Sequence, residues 1–88
     1  MTSQPMTAPK YHTMTQDAAT VAFASDFAVG DRVRIVNHVE KVLVVEISEI
    51  DFDGGLAWGI ALDDRISYRA GDRVAILPRC INAIGRLA

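Results

Sequence analysis

Leu56-Ala57-Trp58-Gly59-Ile60-Ala61-Leu62 alternates large side chains with small ones. Successive residues of a strand point to opposite faces, so the four large residues share one face and Ala57, Gly59 and Ala61 share the other. A half-buried strand normally alternates apolar with polar. Small residues on the second face predict that it too is covered, or closely approached by another backbone. Trp58, set among Leu56, Ile60 and Leu62, reads as a core residue.

The same period of two extends outward in both directions. Upstream, Lys41 to Ile50 is expected to form a long strand with Leu43, Val45 and Ile47 on one face. Before it, Val33 and Ile35 alternate with Arg32 and Arg34, and Asn37-His38 supplies a turn. Asp51-Phe52-Asp53-Gly54-Gly55 predicts a tight turn, since glycine accepts positive φ. Downstream, Asp63 to Gly71 is a polar connection, and Arg73 to Leu77 is a fourth strand with Val74 and Ile76 inward. Pro78 ends it, because proline cannot continue a central ladder. Arg79 to Ala83 is expected to make one helical turn, and Ile84 to Leu87 a closing strand.

The first part of the chain differs. All five threonines and all three methionines fall in the first twenty residues of 88. Residues 1–26 therefore read as a disordered or weakly helical tail, with a short amphipathic helix over Gln16 to Ala24 as the alternative. The domain proper is expected over 27–88, near the lower size limit for a self-sufficient core, where association is a common remedy. Asp17 interrupts the early apolar stretch and Lys10 is the only early cation, which disfavours a secretory signal. A cytoplasmic location is expected, and no apolar run approaches a membrane span.

Five short strands with a helical turn before the last describe an all-β, five-stranded SH3-like barrel. Phe27-Ala28-Val29-Gly30-Asp31-Arg32-Val33-Arg34 resembles the opening of several small barrels of that kind. Ile76-Leu77-Pro78-Arg79-Cys80-Ile81-Asn82-Ala83-Ile84 resembles their closing strand, proline, turn and strand. Among enzymes the chain distantly resembles plasmid-type (type II) dihydrofolate reductases, small barrels with a flexible tail that act as homotetramers. Their signature Val-Gln-Ile-Tyr-Pro falls on Val74-Ala75-Ile76-Leu77-Pro78. In that family the glutamine and tyrosine line a pore that holds folate and NADPH. Here those positions are Ala75 and Leu77, and the pore lysine would fall near Ile35 or Val36. Apolar groups cannot orient a pterin or a phosphate, so no cofactor is expected. The opening motif is also similar to the barrels of nitrile hydratase β-subunits, which are non-catalytic partners. KOW and Tudor-like barrels are a further resemblance. However, Asn37-His38-Val39-Glu40-Lys41 lacks the KOW glycine, and a Tudor cage would have only Phe52, Trp58 and Tyr68 to draw on.

Gly30-Asp31-Arg32-Val33-Arg34-Ile35 recurs as Gly71-Asp72-Arg73-Val74-Ala75-Ile76, 41 residues on. Both copies read as turns that open a strand, the aspartate bonding its own backbone. Duplication is not adopted, because the intervening segments do not match.

The net charge of -2 disfavours a strongly basic nucleic-acid binder, and a single cysteine excludes an internal disulfide. No metal site is expected: Asp51 to Gly55 resembles a calcium loop only faintly, and a solvated turn is the better reading. His12 and His38 read as bystanders. Cys80, between apolar neighbours and with no histidine near it in sequence, reads as a buried structural thiol. The charges are uneven along the chain. Glu46, Glu49, Asp51, Asp53, Asp63 and Asp64 form a candidate acidic patch; Arg65, Arg69, Arg73, Arg79 and Arg86 form a candidate basic one. The two sets either neutralise each other across the sheet or meet on different subunits or partners. Val42, Val44, Ala75 and Leu77, on strands that look apolar on both faces, are the candidate interface. The expected function is a small non-catalytic binding or assembly module whose partner is itself or another protein. The alternatives are a divergent reductase relative and a nucleic-acid binder that uses the five arginines.

Overall fold

Period-two patterning yields five strands, β1 (Arg32–Val36), β2 (Leu43–Asp51), β3 (Leu56–Ala61), β4 (Arg73–Ile76) and β5 (Ala83–Arg86). They form one antiparallel sheet in the order β4-β3-β2-β1-β5. The computed structural model describes residues 10–37 and 42–87. The residues after Asn37 in the expected Asn37-His38 turn lie outside that range. The fold is mostly β, with one helix and a single 3-10 turn (Pro78–Cys80) before β5.

Val33, Ile35, Leu43, Val45, Ile47, Val74, Ile76 and Ile84 all point to one face and are buried, as their alternation predicts. On β3 the polarity is reversed from expectation. The small residues Ala57 and Ala61 face the core at 0% and 1% exposure, whereas Leu56, Trp58, Ile60 and Leu62 lie half-buried on the outer face. Trp58 is therefore not a core residue. Short side chains are needed inside because neighbouring strands crowd there. A Cβ on Gly59 would stand 3.2 Å from the Glu46 carbonyl oxygen and 3.1 Å from Ile76 Cδ1. This is the close backbone approach that the small face predicts. It sits beside a bulge in β2, where the register shifts between Ile47 and Glu49.

For residues 10–26 the core reaches beyond the boundary placed at residue 27, and the helix read as an alternative over Gln16 to Ala24 is present; residues 1–9 of the expected tail lie outside the described range. Residues 10–26 are folded: a 3-10 turn over Lys10–Thr13 leads into α1 (Gln16–Asp26). Tyr11, Ala19 and Phe23 are buried in the same core as the strands, with Phe27 packed against it. The aromatic rings stack in sequence, Tyr11 on Phe23 at 5.9 Å and Phe23 on Phe27 at 5.3 Å between centroids. Thr15 caps the helix by accepting from the Ala18 N–H, and the Gln16 side chain donates to the Gly54 carbonyl in the β2–β3 turn. The amphipathic signal is faint in sequence because alanines are scattered all round the helix. Only Ala19, Thr20 and Phe23 mark the buried stripe.

Arg86 on β5 is fastened to the end of α1 and to the turn before β1. Its guanidinium donates to the Asp26 carbonyl at 2.6 Å, ending α1, and to the Asp31 carboxylate at 3.1 Å. It also lies 5.0 Å over the Phe27 ring. Asp26 in turn accepts from the Tyr11 hydroxyl at 2.5 Å.

The repeated Gly-Asp-Arg-Val opens β1 and β4 through two congruent turns. In each, the glycine has φ near +90° (94° at Gly30, 93° at Gly71). In each, the aspartate carboxylate accepts the N–H three residues back at 2.9 Å, from Ala28 and from Arg69. The aspartate N–H closes the turn onto the same residue's carbonyl at 3.0 Å. Each turn then bonds the neighbouring strand twice, at Ile47 on β2 and at Ala61 on β3. The pattern is that of a type II turn, whose third residue requires positive φ.

Candidate functional site

The outer face of the sheet is where side chains and chemistry converge. β3 runs through its centre. Glu46 and Arg73 flank Ile60, Glu49 and Ala75 flank Trp58, and Val44 lies beside Leu62. Leu56, Trp58, Ile60, Leu62 and Val44 thus make a continuous half-buried apolar band. No helix among the described residues lies over it, because α1 and its aromatic residues occupy the inner face.

Two ion pairs frame the band. Arg32 meets Glu46 at 3.1 Å across β1 and β2, and Arg73 reaches over β3 to Glu49 on β2 at 3.6 Å. On its way the Arg73 guanidinium covers the Trp58 ring, 3.8 Å from its centroid. All four charged side chains are roughly half exposed or more, so the pairs contribute little net stability. Their effect is to present both signs of charge beside apolar surface.

The four candidate interface residues all border this face but form no single cluster. Val42 and Val44, both half-buried, stand on the β2 side, while Ala75 and Leu77, both exposed, stand on the β4 side. The large β3 residues lie between them. Sequence reasoning missed Leu56, Trp58, Ile60 and Leu62 as members because it assigned their face to the core. The available signal was the small face, which marks where backbones crowd.

The acidic and basic sets interleave. Glu46, Glu49 and Asp63 pair with Arg32, Arg73 and Arg65, the last at 3.2 Å. Asp51 and Asp64 accept backbone N–H groups of Gly54 and Ala70, shaping their loops, while Asp53 is exposed at its turn. Arg86 is consumed in the helix clamp, and Arg69 and Arg79 are exposed. Of the ion pairs, Glu49–Arg73 and Asp63–Arg65 join the two sets, whereas Arg32 stands outside the basic one.

Clefts among the described residues lie at both ends of β4. One, of about 300 Å³, is lined by His12, Gln16, Leu77, Pro78, Arg79 and Cys80. Here the thiol expected to be buried is exposed, since the Pro78–Cys80 turn holds Pro78 inward and leaves Cys80 outward. His12, distant in sequence, lines the same cleft. The other cleft, of about 410 Å³, is formed within the β3–β4 connection by Asp64 to Arg69 and Asp72. Ile66 there is fully exposed. Among the described residues no three His, Cys, Asp or Glu side chains gather closely enough to hold a metal ion, and no helix is long and apolar enough to cross a membrane. Compared with known proteins, the chain matches no family model, no curated protein and no solved structure.

Proposed function

We propose that the protein is a small non-catalytic assembly module, built as an SH3-like barrel, that associates with a second copy of itself through the outer sheet face. The strand order β4-β3-β2-β1-β5, with a 3-10 turn between β4 and β5, supports the barrel. The observation that carries the function is the apolar band of Leu56, Trp58, Ile60 and Leu62 on a face that no described helix covers. A contiguous apolar patch rimmed by polar groups marks an interaction surface. The framing ion pairs suit a second copy, because a twofold interface needs both signs of charge on one patch. The signature positions of the reductases carry exposed apolar Ala75 and Leu77, in keeping with contact rather than cofactor chemistry.

Sedimentation equilibrium across the micromolar range tests the proposal. A concentration-dependent rise from monomer to a defined oligomer is expected. Ile60→Lys, which places a charge in the middle of the band, should lower the association. A strict monomer at every concentration overturns the proposal.

A further inference from the structure

Among the described residues, hydrogen bonding in the sheet leaves β4 with one strand beside it, β3. Val74 pairs with Gly59 and Ile76 with Ala57, while Arg73 and Ala75 stand opposite Ile60 and Trp58. The Ala61 N–H donates to the Asp72 carbonyl, which fixes the phase of the ladder. Antiparallel pairs alternate between bonded and non-bonded positions. Val74 and Ile76 therefore direct their backbone groups to β3, and Arg73, Ala75 and Leu77 direct theirs away from it. The Leu77 carbonyl is spent on the Cys80 N–H at 2.8 Å. The Leu77 N–H and the outward groups of Arg73 and Ala75, however, have no strand beside them among the described residues, and such a row is a template for another strand.

The usual protections of such an edge are absent between residues 73 and 77. It has no proline, no lysine and no bulge. Its one charged side chain, Arg73, is drawn the other way, across Trp58 to Glu49 on β2. The opposite edge, β5, is different: its arginine, Arg86, is tied into the helix clamp and its outer face carries Gly85.

We propose that β4 is the edge at which a second copy pairs, antiparallel, with its twofold axis at Ala75. The proposal rests on self-association of the chain and adds to the contact through the outer face a second one, at the edge of the same sheet. In that register Ala75 faces Ala75 of the second copy, two small side chains that let the strands approach. Arg73 faces Leu77, so no like charges are opposed. Ala75 of each copy donates its N–H to the other's Ala75 carbonyl. The two outer faces then join into one sheet surface, and the apolar band runs on from one copy to the next. Pro78 limits the paired segment to Arg73–Leu77.

Ala75→Pro tests the geometry. Proline removes an N–H that points away from β3, so the β3–β4 ladder keeps its bonds, as prolines on edge strands do. Circular dichroism should be unchanged, and dimerisation should weaken by about tenfold or more, since both hydrogen bonds at the axis are lost. In the unsubstituted protein, amide exchange at Ala75 and Leu77 should slow as concentration rises, while exchange at Ile84, whose N–H points away from β1 on the other edge, should not. That second measurement decides the matter even if the proline variant misfolds. A dimer whose Ala75 and Leu77 amides exchange at a rate independent of concentration overturns edge pairing and leaves association through the face standing. A protein that is monomeric throughout overturns both.

Discussion

The guanidinium of Arg73 lies 3.8 Å over the indole of Trp58, with Glu49 on its far side at 3.6 Å. The stack covers the middle of the outer apolar band with a charged plane. Removing it by Arg73→Ala should cost only about 0.5–1 kcal/mol, the range of an exposed cation–π contact. Its effect on the indole should be larger than its effect on stability. Trp58 is the single tryptophan, so the emission maximum reports the surroundings of this one indole. A red-shifted emission maximum in the variant is expected, and an unchanged spectrum would show that the stack does not persist in solution.

Tyr11 supplies a pH signature. Burial, with the Asp26 carboxylate as hydrogen-bond acceptor and nearby negative charge, pushes the phenol well above its ordinary value near 10. The folded chain therefore holds this proton more tightly than the unfolded chain does. Stability from this group is fully present below pH 10. It declines as the pH rises above 10, because the unfolded phenol ionises first. The urea midpoint of the unsubstituted protein should fall more steeply above pH 10 than that of Tyr11→Phe, measured in parallel.

Gly30 and Gly71 should behave alike. Neither position is crowded, so an added methyl group meets nothing within 4 Å. The penalty of Gly30→Ala or Gly71→Ala is then backbone strain at positive φ, about 1–2 kcal/mol each by thermal denaturation. Gly59→Ala acts through a different cause, contact with the Glu46 carbonyl and Ile76, and overpacking of this kind costs about 1–3 kcal/mol.

Phe23→Ala should be severe. The ring is 0% exposed between Tyr11 and Phe27, and loss of a buried phenylalanine costs about 3–5 kcal/mol. Val21 on the same helix is 56% exposed, and Val21→Ala should stay within about 0.5 kcal/mol. Equal tolerance of both would show that α1 does not dock as described.

Most strands were legible because inward residues such as Val33, Leu43, Val45 and Val74 obey a strict period of two. The turns were legible because glycine and aspartate carry their own local chemistry, and Gly30-Asp31 and Gly71-Asp72 indeed form matching turns. The polarity of β3 was not legible. Alternation says which residues share a face, but the inward face is chosen by how closely neighbouring backbones approach, and Gly59 shows that only once Glu46 and Ile76 are placed beside it. The helix over Gln16 to Ala24 was legible only as an alternative to a disordered tail, because its alanines carry little contrast between faces. The cleft that joins His12 to Cys80 arises from tertiary packing between segments more than sixty residues apart, and no local pattern announces it.

The β2 bulge has a consequence for length. Ser48 is an extra residue in a two-residue rhythm, so β2 is two stretches set half a period out of phase. Ile47 is buried before it, Ile50 packs inward after it, and Glu49 is left free to reach Arg73. At position 48 dropping a residue leaves Ile47, Glu49 and Ile50 on their own faces. Dropping one of residues 44–46 instead would turn Leu43 outward.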